Sequence, residues 1–254
     1  MSFDACAGIV ERGDPERFLA IMAGPVDARR TLFPIVAFNV EVARAPWVTQ
    51  EPMIAEMRLQ WWRDALEEIA SDGQVRRHEV VTPLAEVLTP KQARDLDRLV
   101  AMRRWDIYSD PFEDAAHFDA YLGATAADLM IVAAQALGDA SAEVVRGFGW
   151  GVGLANWLRA VPDLEARGRV PMVDGRPEAV QLLAKRGIAL IREARARRAA
   201  VSAKARPALL MGWQAEQILR RAAAHPKAVQ NGTLATSQAR AKLGLMVKSA
   251  TGRW

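Results

Sequence analysis

The sequence predicts an all-α fold, and three observations carry that prediction. Apolar residues recur at three- and four-residue intervals through nearly the whole chain. The breaks between these segments are marked by helix caps, prolines and glycines, and no segment alternates with period two long enough to make a sheet. No internal repeat or low-complexity tract interrupts the pattern, so residues 1–254 read as a single domain of roughly eight to ten helices.

Asp14-Pro15-Glu16 supplies an N-cap, a first-turn proline and an early acid, and opens a helix that Gly24 closes. The next begins near Asp27 and runs through Phe33, Val36, Ala37 and Val40, with a kink expected at Pro34. Thr49 or Gln50 opens a third over residues 51–70, in which Met53, Met57, Trp61 and Ile69 recur mostly at i+4, and Asp72-Gly73 ends it. Thr89-Pro90 starts a helix that gathers Leu96, Leu99, Val100 and Trp105 on one face before Asp110-Pro111 stops it. A longer helix is predicted over 113–137, stopped by Gly138-Asp139, and another from Ser141 to Arg159, ended by Pro162. Residues 162–177 make the longest predicted loop, and helices over 178–204, 208–224 and 234–249 complete the set.

Composition removes several function classes. With 51% hydrophobic and 25% charged residues, the chain can bury a sizeable core without cross-links. One cysteine, Cys6, excludes a disulfide framework and a Cys-based zinc site, and points to a reducing compartment. The three histidines, His78, His117 and His225, form no i, i+4 pair, which argues against a zinc hydrolase. No unbroken apolar run approaches the ~18 residues of a membrane span, so none is expected. The N-terminal segment lacks the basic-then-apolar order of a secretory leader, and its acids argue against a transit peptide, so a cytoplasmic location is expected.

The net charge of +4 hides an asymmetry, because residues 1–128 sum to −8 and residues 129–254 to +12. Lys185 to Arg206 is the most basic stretch, with eight Lys/Arg against Glu193 alone. Such a stretch suits an anionic membrane surface or an acidic partner, or simply a solvated helix face. As an RNA-binding module it would lack the aromatic platform that strand binding adds, and no nucleic-acid partner is expected.

Gly147, Gly149, Gly151 and Gly153 do not make a phosphate loop, since no Lys-Ser/Thr pair follows and no strand precedes; their spacing fits close helix packing instead. Asp64 with Glu68, and Asp106 with Asp110, stand at i, i+4 and could share a hard cation, but a solvated face and a cap are the simpler readings. Trp61, Trp62, Trp105, Trp150 and Trp157 read as core, and no hydrolase motif such as GxSxG or HExxH is present.

Four segments together, AFNVEVAR (37–44), EMRLQWWRDALEEI (56–69), YLGATAADLM (121–130) and GLANWLRAVPDLEARGRVP (153–171), resemble the squalene/phytoene synthase family. The resemblance implies an isoprenoid synthase-like helical bundle around a central apolar cavity. It also implies that the cavity or substrate-like site involves Phe38, Asn39, Glu41, Arg58, Trp61, Tyr121, Gly123, Gly153, Asn156, Arg159 and Asp163. Active family members condense two prenyl diphosphates, with magnesium held by two aspartate-rich motifs, because a diphosphate leaves only when its charge is neutralised by a cation on hard carboxylate oxygens. Here the paired aspartates of the first motif fall on Ala43 and Arg44; the second keeps Asn156 and Arg159 but has Ala160 and Leu164 at its aspartate positions, with Asp163 one residue out of register. No catalytic residue, metal site or cofactor is therefore expected.

The pattern is closer to a divergent branch that includes an assembly factor of respiratory complex I and lacks the aspartates. It implies a non-catalytic protein that assists assembly of a respiratory NADH dehydrogenase complex, with a complex subunit as partner, a possible prenyl or lipid ligand and a place peripheral to the inner membrane. The competing reading is an active prenyltransferase making a squalene- or phytoene-like product, which would need magnesium on substitutes such as Glu41, Asp106 or Asp163 and would have to accommodate Arg44.

Overall fold

A computed structural model describes residues 3–71, 73–235 and 237–254, so Asp72, half of one expected helix stop, lies outside the described residues. These residues form helices and connecting turns without a strand; the nearest thing is one isolated antiparallel bridge, Ala140 to Val201.

Helix α1 (Phe3–Gly13) precedes α2 (Pro15–Ala23), whose N-cap Asp14 accepts the Arg17 N–H at 3.0 Å. Helix α3 (Val26–Arg44) buries every residue from Leu32 to Val40, and Pro34 lies inside it without ending it. Helix α4 (Pro52–Ala70) and α6 (Pro90–Met102) pack against each other, with short α5 (Val81–Ala85) between them in sequence. Thr89 and Gln92 form a reciprocal capping box at the start of α6. That helix ends before Trp105, which sits in a 3₁₀ turn and stacks on Phe112 at 4.1 Å instead of continuing the apolar face of α6.

The expected helix over 113–137 has three parts: α7 (Ala115–Leu122), a π-helical turn (Gly123–Ala127) and α8 (Asp128–Leu137). By length and composition Ala115–Leu137 could cross a membrane, yet 67% of its most apolar window is buried in the fold.

Helix α9 (Ala142–Ala166) does not stop at Pro162. Packing of Leu158, Val161 and Leu164 against the core holds it helical for another turn, so the expected long loop shrinks to the segment after Ala166. Helix α10 (Pro177–Ala196) stops earlier than expected, giving way to a 3₁₀ turn and the Val201 bridge. The expected helix over 208–224 is split into α11 (Arg206–Leu210) and α12 (Ala215–Ala224). Between them Gly212 presses on α9 so closely that a Cβ there would stand 2.4 Å from Val152 Cγ2. Helices α13 (Lys227–Gln230) and α14 (Gln238–Thr251) close the chain.

The buried apolar residues form one core cluster with α3, α8 and α9 at its centre. The α9 glycines permit this. A Cβ on Gly149 would lie 2.8 Å from Ala127 Cα, one on Gly151 2.7 Å from Ile191 Cγ1, and one on Gly153 2.5 Å from Ala126 Cβ. The glycine stripe is therefore where the π turn and α10 close on α9.

Candidate functional site

One face of α9 carries Gly153, Asn156, Trp157, Ala160, Asp163 and Leu164, in two neighbouring rows that repeat every three or four residues, with Arg167 just past its end, and α3 carries Asn39 and Ala43 at i, i+4. These faces line a common cavity of about 880 Å³, together with the start of α2, Trp47 and Val48, Arg103 and Asp106, and Tyr121, Leu122, Thr125 and Ala126. Ala43 and Arg44 of the first motif and Ala160 and Leu164 of the second thus share the cavity wall.

Four carboxylates reach this cavity, and three are committed. Asp14 caps α2 and pairs with Arg17 at 3.2 Å. Glu16 receives two hydrogen bonds from Arg159, at 2.6 and 2.9 Å. Asp106, 4% exposed, accepts from Arg103 at 2.9 Å and from the Tyr121 hydroxyl at 2.8 Å, while Arg103 also donates to the Tyr121 oxygen at 2.7 Å. Burial first, then Asp106, pushes the Tyr121 hydroxyl far above its ordinary range, so it is a neutral donor. Arg169 closes the network from behind by donating to the Asp106 carbonyl at 3.0 Å. Exposed Asp163 makes no hydrogen bond or ion pair among the described residues. The buried Asn39 amide oxygen likewise has no partner there.

The magnesium that the family resemblance implies needs two or more free carboxylates converging on one point. Among the described residues no group of three or more His, Cys, Asp or Glu is so placed, and the cavity leaves only Asp163 uncommitted. The donor set does not fit the ion.

Asn39, Tyr121, Gly153, Asn156, Arg159 and Asp163 therefore share the cavity wall; Phe38, Glu41, Arg58, Trp61 and Gly123 do not. Phe38 faces the opposite side of α3, fully buried and edge-on to Trp62 at 5.4 Å. Glu41 lies beside Arg44 at 3.4 Å, and Arg58 is exposed on α4. Trp61 sits beneath the Arg76 guanidinium at 4.8 Å and against His78, edge-on to its buried neighbour Trp62 at 4.9 Å and away from the cavity wall. Gly123 meets no atom within 4 Å at its Cβ position, because the π turn directs Leu122, Thr125 and Ala126 inward instead.

Glu16, Arg103 and Thr125 belong to the wall and were not singled out by sequence reasoning. Asp14-Pro15-Glu16 reads only as a helix start, and the partner of Glu16 stands 143 residues away. Asp106 and Asp110 do not converge, as Asp110 is exposed while Asp106 is held by Arg103. Asp64 bonds Gln60 at 2.7 Å and Glu68 pairs with Arg76 at 2.6 Å, so this couple too is occupied at the surface.

The basic run from Lys185 to Arg206 is not one free face. Arg186 pairs with Asp119, Arg197 with Glu143, and Arg192 and Arg195 with Glu216. Much of its charge therefore fastens α10 to α7, α9 and α12.

Comparison with known proteins agrees with this architecture. The chain resembles the crystal structure of a dehydrosqualene synthase in complex with ligand, with a TM-score of 0.79 at 15% identity over 98% of this chain and 95% of that one. It also resembles the squalene synthase HpnC from Alicyclobacillus acidocaldarius, with a TM-score of 0.69 at 17% identity over 87% and 92%. Among curated proteins, it is 29% identical over 177 residues to the NADH dehydrogenase (ubiquinone) complex I, assembly factor 6 homolog of Drosophila melanogaster, covering 66% of this chain and 53% of that protein. To the corresponding assembly factor 6 of Homo sapiens it is 25% identical over 169 residues, covering 65% and 51%. The chain spans about half the length of these curated relatives. Residues 10–172, most of the chain and both walls that carry the motif positions, match the squalene/phytoene synthase family model, and the chain belongs to that family.

Proposed function

We propose that this chain is a non-catalytic family member that assists assembly of a respiratory NADH dehydrogenase complex through contacts with a subunit of that complex, at the periphery of the membrane that holds it. The observation that carries the reading is the state of the cavity carboxylates. Where the family resemblance calls for aspartates the wall presents Ala43, Arg44, Ala160 and Leu164, and three of the four acids that remain are neutralised by arginines. Ionising a diphosphate would require cations held by such acids, and Arg44 adds positive charge without holding a metal. The names of the curated relatives supply the assembly role.

The cavity itself has not filled in. Its volume of about 880 Å³ lies within the range of small-molecule sites, and Trp157 and Tyr121 offer an apolar wall, which supports a retained prenyl or lipid ligand bound without turnover. Two measurements test the proposal. Farnesyl or geranylgeranyl diphosphate incubated with the protein and magnesium should release no diphosphate above background. Deleting the gene in its own host should lower the amount of assembled NADH dehydrogenase on native gels, with rescue by the wild-type chain. Turnover with unchanged complex levels would overturn it.

A further inference from the structure

Helix α14 is seated by one face only. Ala241 and Leu245 are buried and the Ser249 hydroxyl donates to the Ala23 carbonyl, while Leu243, Met246 and Val247 stand 62%, 66% and 55% exposed at i, i+3 and i+4. Beside this apolar strip runs a groove of about 650 Å³ between α14 and the end of α10. Its cations are Arg195, Arg198, Arg240, Lys248 and Arg253, and no Asp or Glu lines it. Arg195 is engaged by Glu216 and by the Trp254 oxygen, and Arg198 reaches the Gly252 carbonyl at 3.3 Å. Arg240, Lys248 and Arg253 have no ion pair among the described residues. Burial, then the charge of Arg195, holds the Lys248 ammonium down at about 8 against the opposing charge of Glu216.

Around the helix, Arg240 and Lys248 flank one edge of the exposed strip and Lys242 the other. Apolar side chains outward with cations on both edges is the arrangement of a helix lying in a membrane interface, its apolar face at the acyl boundary and its cations at phosphate depth. We infer that α14 and its basic groove form a docking surface for an anionic phospholipid bilayer, with a headgroup phosphate in the groove and Leu243, Met246 and Val247 entering the lipid. This rests on the peripheral-membrane part of the proposed function and moves the contact away from the arginine run of α10, whose charges are largely paired.

The test is co-sedimentation of the full chain with phosphatidylcholine vesicles with and without phosphatidylglycerol, in low and high salt. Binding should need phosphatidylglycerol and weaken as salt rises. It should fall about tenfold in Arg240→Gln/Lys248→Gln and in Leu243→Ser/Val247→Ser, both folded by circular dichroism, and persist in Lys185→Gln/Lys204→Gln. Binding unaffected by the α14 pairs but lost in the Lys185/Lys204 pair would overturn the inference while leaving the membrane reading standing. No vesicle binding even in low salt, including the case where the chain binds only inorganic phosphate or an acidic peptide, would overturn both.

Discussion

Arg159 on α9 grips Glu16 on α2 through two hydrogen bonds, 2.6 Å from Nη1 to Oε2 and 2.9 Å from Nη2 to Oε1. Both side chains are about one third exposed, so solvent screening limits the pair to about 0.5–1 kcal/mol in spite of its two-pronged geometry. A double-mutant cycle on Glu16→Gln and Arg159→Gln by urea unfolding should return a coupling of that size, shrinking with added salt. Additive effects would mean that the bridge adds nothing.

Tyr121→Phe removes the donor to buried Asp106 and the acceptor for Arg103 together. The expected loss is about 2 kcal/mol, because charged partners are left under-satisfied away from water. The urea midpoint should drop with an unchanged slope. A drop worth under about 0.5 kcal/mol would show that the network is relaxed enough to reform without the hydroxyl.

Gly153→Ala and Gly123→Ala should move stability in opposite directions. At Gly153 the new methyl would lie 2.5 Å from Ala126 Cβ, forcing α9 from the π turn at a cost of about 1–3 kcal/mol. At Gly123, with φ −57° and open space around it, alanine should add about 0.5–1 kcal/mol by restricting the unfolded chain. Thermal unfolding of the two variants side by side reads the sign directly.

Cys6 is fully buried, and burial, followed by the charge of Glu79, pushes its thiol up to about 12 from an ordinary 9.0. The folded pKa is raised, so the contribution to stability is intact below about 9 and is lost as pH climbs toward 12. Cys6→Ala should flatten that alkaline loss. A thiol reagent at pH 8 should label the native protein slowly and the urea-unfolded protein at once; rapid native labelling would contradict the burial.

Local chemistry made the helices legible and long-range contact limited their ends. The cap at Asp14, the start at Thr89-Pro90 and the stop at Gly138 could be read because each acts within a turn of its own residue. Pro162 misled because the burial of Val161 outweighs one missing backbone bond, and Gly212 was missed because its reason for breaking a helix lies on α9. At the site, Asn39, Ala43, Asn156 and Ala160 were located through the resemblance to the family's two motifs, whose positions helical geometry turns into shared faces. Phe38 and Trp61 show the limit of that rule: each stands next to a residue whose burial or cavity position differs from its own, a difference that spacing alone does not resolve.

The π turn at Gly123–Ala127 holds one more residue than an α-helical turn would, with the Asp128 N–H reaching back to the Gly123 carbonyl. An α-helix joining the same two ends would therefore be one residue shorter and would turn Tyr121 relative to everything after Ala127. A homologous chain without the bulge would differ by a single-residue deletion in mid-helix, a place where such a change normally ruins a fold. Taking one residue out of this turn would therefore re-aim the Tyr121 hydroxyl that joins Arg103 to Asp106 at the cavity wall.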